Sequence, residues 1–280
     1  MNLTIWYYLY FVVIIMSTSM SNWISMWTML ELSSWLMIII SMKNNFMYDL
    51  TFKMYLLFSL SSMVLMLFWF TFSMKQEWLL YVIAFKLGIP PLHWWMSWVM
   101  KHMSWYTMWW FTTFHKTIPM LISLLVMNNL LPFWWCWLSI IWSSLSFWMS
   151  SSMFTIIFYS SCIHTSWLWM TLNDFFSFLF YFCIYSMTMF MVFSLMEYLM
   201  YWSMSLELTT VMIILLGIPP SAIFFAKFIT LSTYFSHMMM SVWLLLFINI
   251  TTIFPYTRMI WNAFINNMYS PFSYQQQMKQ

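Results

Sequence analysis

The sequence predicts an all-α polytopic membrane protein of about ten transmembrane helices, arranged as two inverted five-helix repeats that each contain one broken helix. Three observations predict it. Apolar residues fill 64% of the 280 positions and charged residues only 5%, with a mean hydropathy of +0.81, so the chain cannot cover a water-facing surface. Apolar runs of about 20 residues, long enough to cross hydrocarbon, recur between short polar interruptions. The string Leu-Gly-Ile-Pro-Pro occurs twice, at Leu87–Pro91 and Leu216–Pro220, and holds both glycines of the chain and four of its eight prolines.

Reading the apolar runs in order gives spans at Leu3–Ser19, Asn22–Met42, Leu50–Met74, Trp78–Met100, Trp105–Met127, Leu131–Met149, Met153–Leu172, Phe175–Met196, Leu206–Phe235 and Met240–Ile265. Residues 1–130 form the expected first repeat and 131–265 the second, and the polar stretch 266–280 reads as an exposed tail. The first apolar run continues into further spans, so no cleavable signal peptide is expected. Proline removes a backbone donor and glycine adds freedom, so each Leu-Gly-Ile-Pro-Pro copy should break its helix. The breaks fall in the fourth and ninth spans. An offset of five reverses their orientation in the membrane, as in inverted-repeat transporters whose sites lie at discontinuous helices.

Met, Trp and Phe are abundant (34, 22 and 29) and glycine is scarce, as in an AT-rich mitochondrial gene read with reassigned Met and Trp codons. With the N-terminus in the matrix, Lys43, Lys53, Lys101, Arg258 and Lys279 fall on the matrix side and Lys75 on the other. This asymmetry obeys the positive-inside rule and puts both termini in the matrix; Glu197 and Glu207 on the same side contribute little to it.

An ionisable residue in hydrocarbon costs at least ~2.5–3.5 kcal/mol, so each is a functional candidate. Lys43, Lys53, Lys75 and Lys101 lie near span ends and can snorkel. Glu31, Lys86, Lys116 and Lys227 lie deeper. Glu31 is the natural counter-ion for one of the three lysines; a static ion pair is the plainer reading, but such pairs add little stability over apolar packing. Burial disfavours a charged lysine and a nearby carboxylate favours it, so a lysine between those influences can change charge when a neighbour moves. His164 and His93 sit in or beside spans and could extend a relay, although His164 reads equally as a hydrogen-bonded core residue. His102 and His237, near span ends, carry no signal.

Other chemistries are not written in the chain. Nine Lys/Arg in 280 residues are too few for a nucleic-acid surface. Cys136, Cys162 and Cys183 have no paired spacing and read as buried small hydrophobes. There is no phosphate-cradling glycine loop, cysteine cluster or haem-spaced histidine pair, so no metal, nucleotide or redox centre is expected in this chain and any electron transfer belongs to partners.

At the level of motifs the chain resembles a known family. Lys86-Leu87-Gly88-Ile89-Pro90-Pro91-Leu92-His93-Trp94-Trp95 resembles the KLGxxPFHxW signature of the NADH dehydrogenase subunit 2 family of mitochondrial respiratory complex I. Further matches follow in the same order: Trp27–Glu31 with its glutamate-bearing helix, Lys116-Thr117-Ile118-Pro119 with KLAP, Tyr159–His164 with YSSIAH, and Gly217–Phe228 with GLPPxxGFxxKW. These matches extend over nearly the whole chain.

The resemblance implies an antiporter-like, proton-translocating subunit of the membrane arm. Glu31 would modulate Lys86 on the first broken helix, Lys116 would carry protons along the central axis, and Lys227 on the second would relay them towards an exit, with His164 beside the path. It also implies that NADH, FMN, iron–sulfur clusters and ubiquinone are bound by partner subunits, and that the chain contacts other membrane-arm subunits, accessory subunits and inner-membrane phospholipids. Ile223 and Ala226 stand where the family usually has glycine and proline, and the acidic residue common near Ser97–Met100 is missing. The family's eleventh, C-terminal helix and three N-terminal helices of bacterial versions are expected to be lacking. Two other classes use the same residues differently: a free-standing cation/proton antiporter, which would need more deep carboxylates than Glu31, and a structural spacer with inert charges.

Overall fold

The apolar runs fold into helices with no strand among the described residues. A computed structural model describes residues 3–43, 48–71, 76–126, 131–150, 153–199, 206–217, 219, 221–235, 242–258 and 260–261. Lys75, Ile218, Pro220, His237 and the tail from 262 lie outside these residues, as do the side chains of Glu197 and Glu207.

Three full-length helices open the chain: α1 (Leu3–Ser19), α2 (Trp23–Lys43) and α3 (Tyr48–Thr71). The fourth expected span is two pieces, α4 (Gln76–Leu87) and α5 (Trp94–Met100). Next come α6 (Trp105–Thr112), α7 (Thr117–Val126), α8 (Leu131–Met149), α9 (Met153–Met170) and α10 (Phe175–Leu199). The ninth span is again two pieces, α11 (Leu206–Leu216) and α12 (Ala222–Phe235), and α13 (Val242–Arg258) follows. The segments Trp23–Lys43, Thr51–Phe70 and Phe175–Leu195 are each long and apolar enough to cross a membrane without interruption. The chain is thus an all-α polytopic membrane protein with two helices broken at the repeated string.

The fifth expected span, Trp105–Met127, is not continuous, which the sequence reading did not anticipate. It stops at Thr113 (φ −111°, ψ −80°), passes through one 3₁₀ turn over Phe114–Lys116, and restarts as α7. Pro119 causes this: it has no N–H for the carbonyl of His115 and its ring crowds that carbonyl, so the α-helix can only begin again with proline in its first turn. Thr112 and Thr113 hydroxyls both donate to the Trp109 carbonyl (3.1 and 2.7 Å) and hold the end of α6.

Neighbours in sequence pack as neighbours in space: α1 on α2, α2 on α3, α3 on α4, and α8 on α9. Longer-range packing places α4 on α7, and α10 against both α6 and α12. Indole and hydroxyl groups bond across these seams, Trp27 Nε1 donating to the Ser62 carbonyl (3.1 Å), Trp109 Nε1 to the Ser186 carbonyl (3.0 Å) and Trp169 Nε1 to Ser123 Oγ (3.0 Å). Such bonds substitute for the hydrophobic driving force that helix packing lacks in lipid. The side chain of Arg258 reaches the Ser150 carbonyl and ties α13 to the end of α8. Cys136 and Cys162 are buried as expected, but Cys183 is exposed on the outer face of α10, where a lipid-facing position suits a small apolar side chain equally well.

Candidate functional site

The first break is built by Gly88. It takes the left-handed conformation (φ 65°) that only glycine adopts without cost, and closes α4 with paired bonds: Gly88 N–H to the Phe85 carbonyl and Ile89 N–H to the Ala84 carbonyl, each 3.1 Å. This is the Schellman pattern of a helix C-terminus. Trp95 Nε1 donates a further bond to the Phe85 carbonyl (3.1 Å) and Cys162 Sγ approaches the Gly88 carbonyl (3.7 Å), so carbonyls freed by the break are satisfied by protein, as hydrocarbon requires.

Lys86 lies one residue inside that terminus, where the negative end of the helix dipole favours a cation. It is 6% exposed, and Lys116 and Lys227 are 4% and 7% exposed, so all three deep lysines are enclosed rather than snorkelling. By contrast Lys43, Lys53 and Lys101 are exposed, with the Lys43 and Lys53 ammonium groups over the rings of Trp6 and Trp98.

Glu31 is half-buried on α2. Its Oε2 and the Lys86 Nζ are enclosed without a hydrogen-bond partner among the described residues, yet the two charges interact through space. They form a separated pair, not a contact ion pair.

Lys116 ends the 3₁₀ turn between α6 and α7, and its Nζ is enclosed with no hydrogen-bond partner among the described residues. Its neighbour His115, which the sequence reading did not select, is buried and shares a 2.7 Å hydrogen bond between Nδ1 and Tyr10 Oη of α1. The ring stacks on Phe111 (5.3 Å, 18°). His115 interacts electrostatically with both Lys86 and Lys116. Its adjacency to Lys116 was the available signal. The irregular turn is what aims both side chains of the pair inward, and the turn was not foreseen.

His164 is buried on α9, with Nδ1 3.0 Å from Tyr181 Oη. Both Lys116 and Lys227 are near enough to act on it electrostatically. His93 is half-buried and stacks beside Phe158 (5.8 Å, 19°). His102 is exposed.

At the second break Gly217 also takes a left-handed conformation (φ 73°) and its N–H bonds the Ile214 carbonyl (3.2 Å). Lys227 reaches back from α12 towards it. A Cβ on Gly217 would lie 3.6 Å from Lys227 Nζ, an ordinary contact, so it is the positive φ and not space that calls for glycine here. The ammonium donates to Asn249 Oδ1 on α13 (3.3 Å) and lies 5.9 Å from the centre of the Trp167 ring. Asn249 was missed from sequence, although an amide within an apolar span was a readable signal.

Among the described residues Lys86, His115, Lys116, His164 and Lys227 are all buried and Glu31 is half-buried, so the ionisable groups of α2, α4, α9, α12 and the turn after α6 are enclosed by protein. His93, also a candidate chosen from sequence, is only half-buried and stacked on Phe158, and His115 is a buried histidine beside Lys116 that the sequence reading did not select.

No family model matches the chain. It is 26% identical to NADH-ubiquinone oxidoreductase chain 2 of Artemia franciscana, over 81% of this chain and 78% of that one. It is also 26% identical to the protein of the same name from Lumbricus terrestris, over 88% of this chain and 82% of that one. Its fold is similar to a chain in the structure of respiratory complex I from Thermus thermophilus with bound aureothin, at TM-score 0.73 and 18% identity, covering 84% of this chain. The chain spans 64% of that chain's length. The resemblance read from the motifs is thus borne out: in sequence the chain is similar to NADH-ubiquinone oxidoreductase chain 2, and in fold to a chain of respiratory complex I.

Proposed function

We propose that this chain is a proton-translocating, antiporter-like subunit in the membrane arm of respiratory complex I, multi-pass in the mitochondrial inner membrane with both termini in the matrix. NADH oxidation and ubiquinone reduction belong to partner subunits, which hold FMN and the iron–sulfur clusters. Other membrane-arm subunits, accessory subunits and inner-membrane phospholipids are its neighbours. Residues 1–130 and 131–265 act as inverted halves, a reading supported by the two similar breaks five spans apart.

The observation that carries the function is the enclosure of a series of ionisable side chains, Lys86, His115, Lys116, His164 and Lys227, within an apolar helical chain, with the half-buried carboxylate of Glu31 acting on Lys86. A cation shared along such a series changes the proton affinity of its neighbour when it gains or loses a proton. Glu31 modulates Lys86, Lys116 hands charge along the midplane, and Lys227 relays it towards one exit. A free-standing cation antiporter would place coordinating carboxylates beside the path, whereas Glu31 is the one carboxylate coupled to a deep lysine among the described residues.

The test is the assembled complex in sealed vesicles. Lys86→Met and Lys116→Met should each lower the coupled rate and the number of protons moved per electron pair. Unchanged values in Lys86→Met would overturn the role of that lysine, and unchanged values in both would leave a structural spacer. A native gel stained for NADH oxidation should carry this chain in the large NADH-oxidising particle. Its presence in a small inactive particle would transfer the function to a free-standing antiporter.

A further inference from the structure

Lys227 differs from Lys86 in lacking a carboxylate coupled to it among the described residues; its polar partner is the neutral Asn249. Beside it the second break opens into a cavity of about 640 Å³ lined by Gly217, Lys227, Phe228, Trp243, Phe247 and Ile250, among others. The outer wall of that cavity lies on the apolar surface of the chain: Phe228, Trp243, Phe247 and Ile250 are 59–65% exposed. An apolar groove thus runs from the membrane to one enclosed ammonium group.

We propose that this groove binds one fatty carboxylate from the bilayer, its head on Lys227 and Asn249 and its tail along Phe228, Phe247 and Ile250. The polar end suits a carboxylate because Lys227 has donors left after its bond to Asn249 Oδ1, and the amide nitrogen of Asn249 is a further donor beside it. A charge-assisted bond there compensates an enclosed ammonium that has no opposite charge beside it among the described residues. The volume is that of a site for one drug-sized molecule, roughly 300–1,000 Å³, which fits a single acyl chain and not a two-chain phospholipid. A phosphate head would call for more than one cation. The proposal goes beyond proton translocation: the groove binds its ligand whether or not Lys227 relays protons.

The experiment uses the intact complex in its native membranes. A C16 fatty acid carrying a photoreactive diazirine near its tail end is illuminated, and the attached peptides are mapped. Label is expected on the segments containing Phe224–Leu231 and Trp243–Ile253. Unlabelled C16 carboxylate should compete roughly tenfold or more better than its methyl ester, the factor supplied by one charge-assisted hydrogen bond. In a genetically accessible host, Ile250→Trp should block labelling while leaving NADH-driven pumping unchanged. Equal competition by acid and ester would overturn the head-group assignment. Label elsewhere, stronger competition by a two-chain phospholipid, or full labelling of Ile250→Trp would overturn the site.

Discussion

At the first break, Gly88, Ile89 and Pro90 are buried, and Trp95, Met96 and Cys162 close over them. At the second, the same pentapeptide has Gly217 half-buried, Pro219 exposed and a cavity of about 640 Å³ alongside. The lysines differ correspondingly. Lys86 precedes its glycine, sits at the negative end of a half-helix and interacts with a carboxylate. Lys227 follows its glycine on the second half-helix and leans on a neutral amide. A repeated turn therefore sets the backbone, while the surroundings decide whether the charge beside it answers to another charge. In the proposed function this difference corresponds to a first break that Glu31 switches and a second that passes charge on.

Substituting each glycine by alanine is the strongest way to test this contrast. Both positions carry positive φ, which costs an L-residue roughly 1–2 kcal/mol. At Gly88 the new Cβ would also collide with Met96 Sδ and lie 3.2 Å from Met96 Cβ. At Gly217 it would find Ile223 at 3.4 Å and the flexible Lys227 at 3.6 Å. Overpacking adds roughly 1–3 kcal/mol, so Gly88→Ala should lose about 2–5 kcal/mol and Gly217→Ala only about 1–2 kcal/mol. The unfolding midpoint in detergent, followed by tryptophan emission, measures both. Equal losses would mean that the first break is no more closed than the second.

The lysine partners give the next contrast, smaller in stability and opposite in function. Asn249→Leu removes the hydrogen-bond acceptor of an enclosed ammonium, which costs roughly 1–3 kcal/mol, but takes no charge from the series. Glu31→Gln removes a charge that makes no hydrogen bond through Oε2 among the described residues. Asn249→Leu should thus lower the unfolding midpoint more, and Glu31→Gln should lower the protons moved per electron pair more. If Asn249→Leu caused the larger pumping defect, Lys227 would depend on its partner in the way proposed for Lys86 and Glu31.

Much of this arrangement was legible before any coordinates, for physical reasons. Glycine and proline in an apolar run can do little except break it, and a lysine deep in hydrocarbon needs a protein environment, so Lys86, Lys116 and Lys227 identified themselves. His164 was visible as a buried polar group, but its bond to Tyr181 depends on how α9 packs on α10. Less legible was the turn at Thr113, because Pro119 acts on the turn before it and the apolar run continues through both. His115 and Asn249 depend on partners 105 and 22 residues away, and periodicity carries no information about such pairings. Which break is open and which closed was also invisible, since the repeated string is identical and the difference lies in Trp95, Met96 and Cys162 on one side and α13 on the other.

The smallest expected effect isolates the hydrogen bond that closes the first break. Trp95 Nε1 donates to the Phe85 carbonyl (3.1 Å) while the ring meets Phe58 edge-on at 5.6 Å. Trp95→Phe keeps an aromatic ring for Phe58 but removes the donor. The Phe85 carbonyl still accepts Gly88 N–H, so it is not left bare, and the loss should be that of one modest hydrogen bond, about 0.5–1.5 kcal/mol. The smaller ring adds some lost packing in the same direction. A double-mutant cycle with Gly88→Ala separates the two contributions. If the indole bond holds the turn that Gly88 makes, the combined loss falls short of the sum of the single losses, because the first substitution has already loosened the turn. Additive losses would show that Trp95 is packing only, and that Gly88 closes the break through its own backbone bonds.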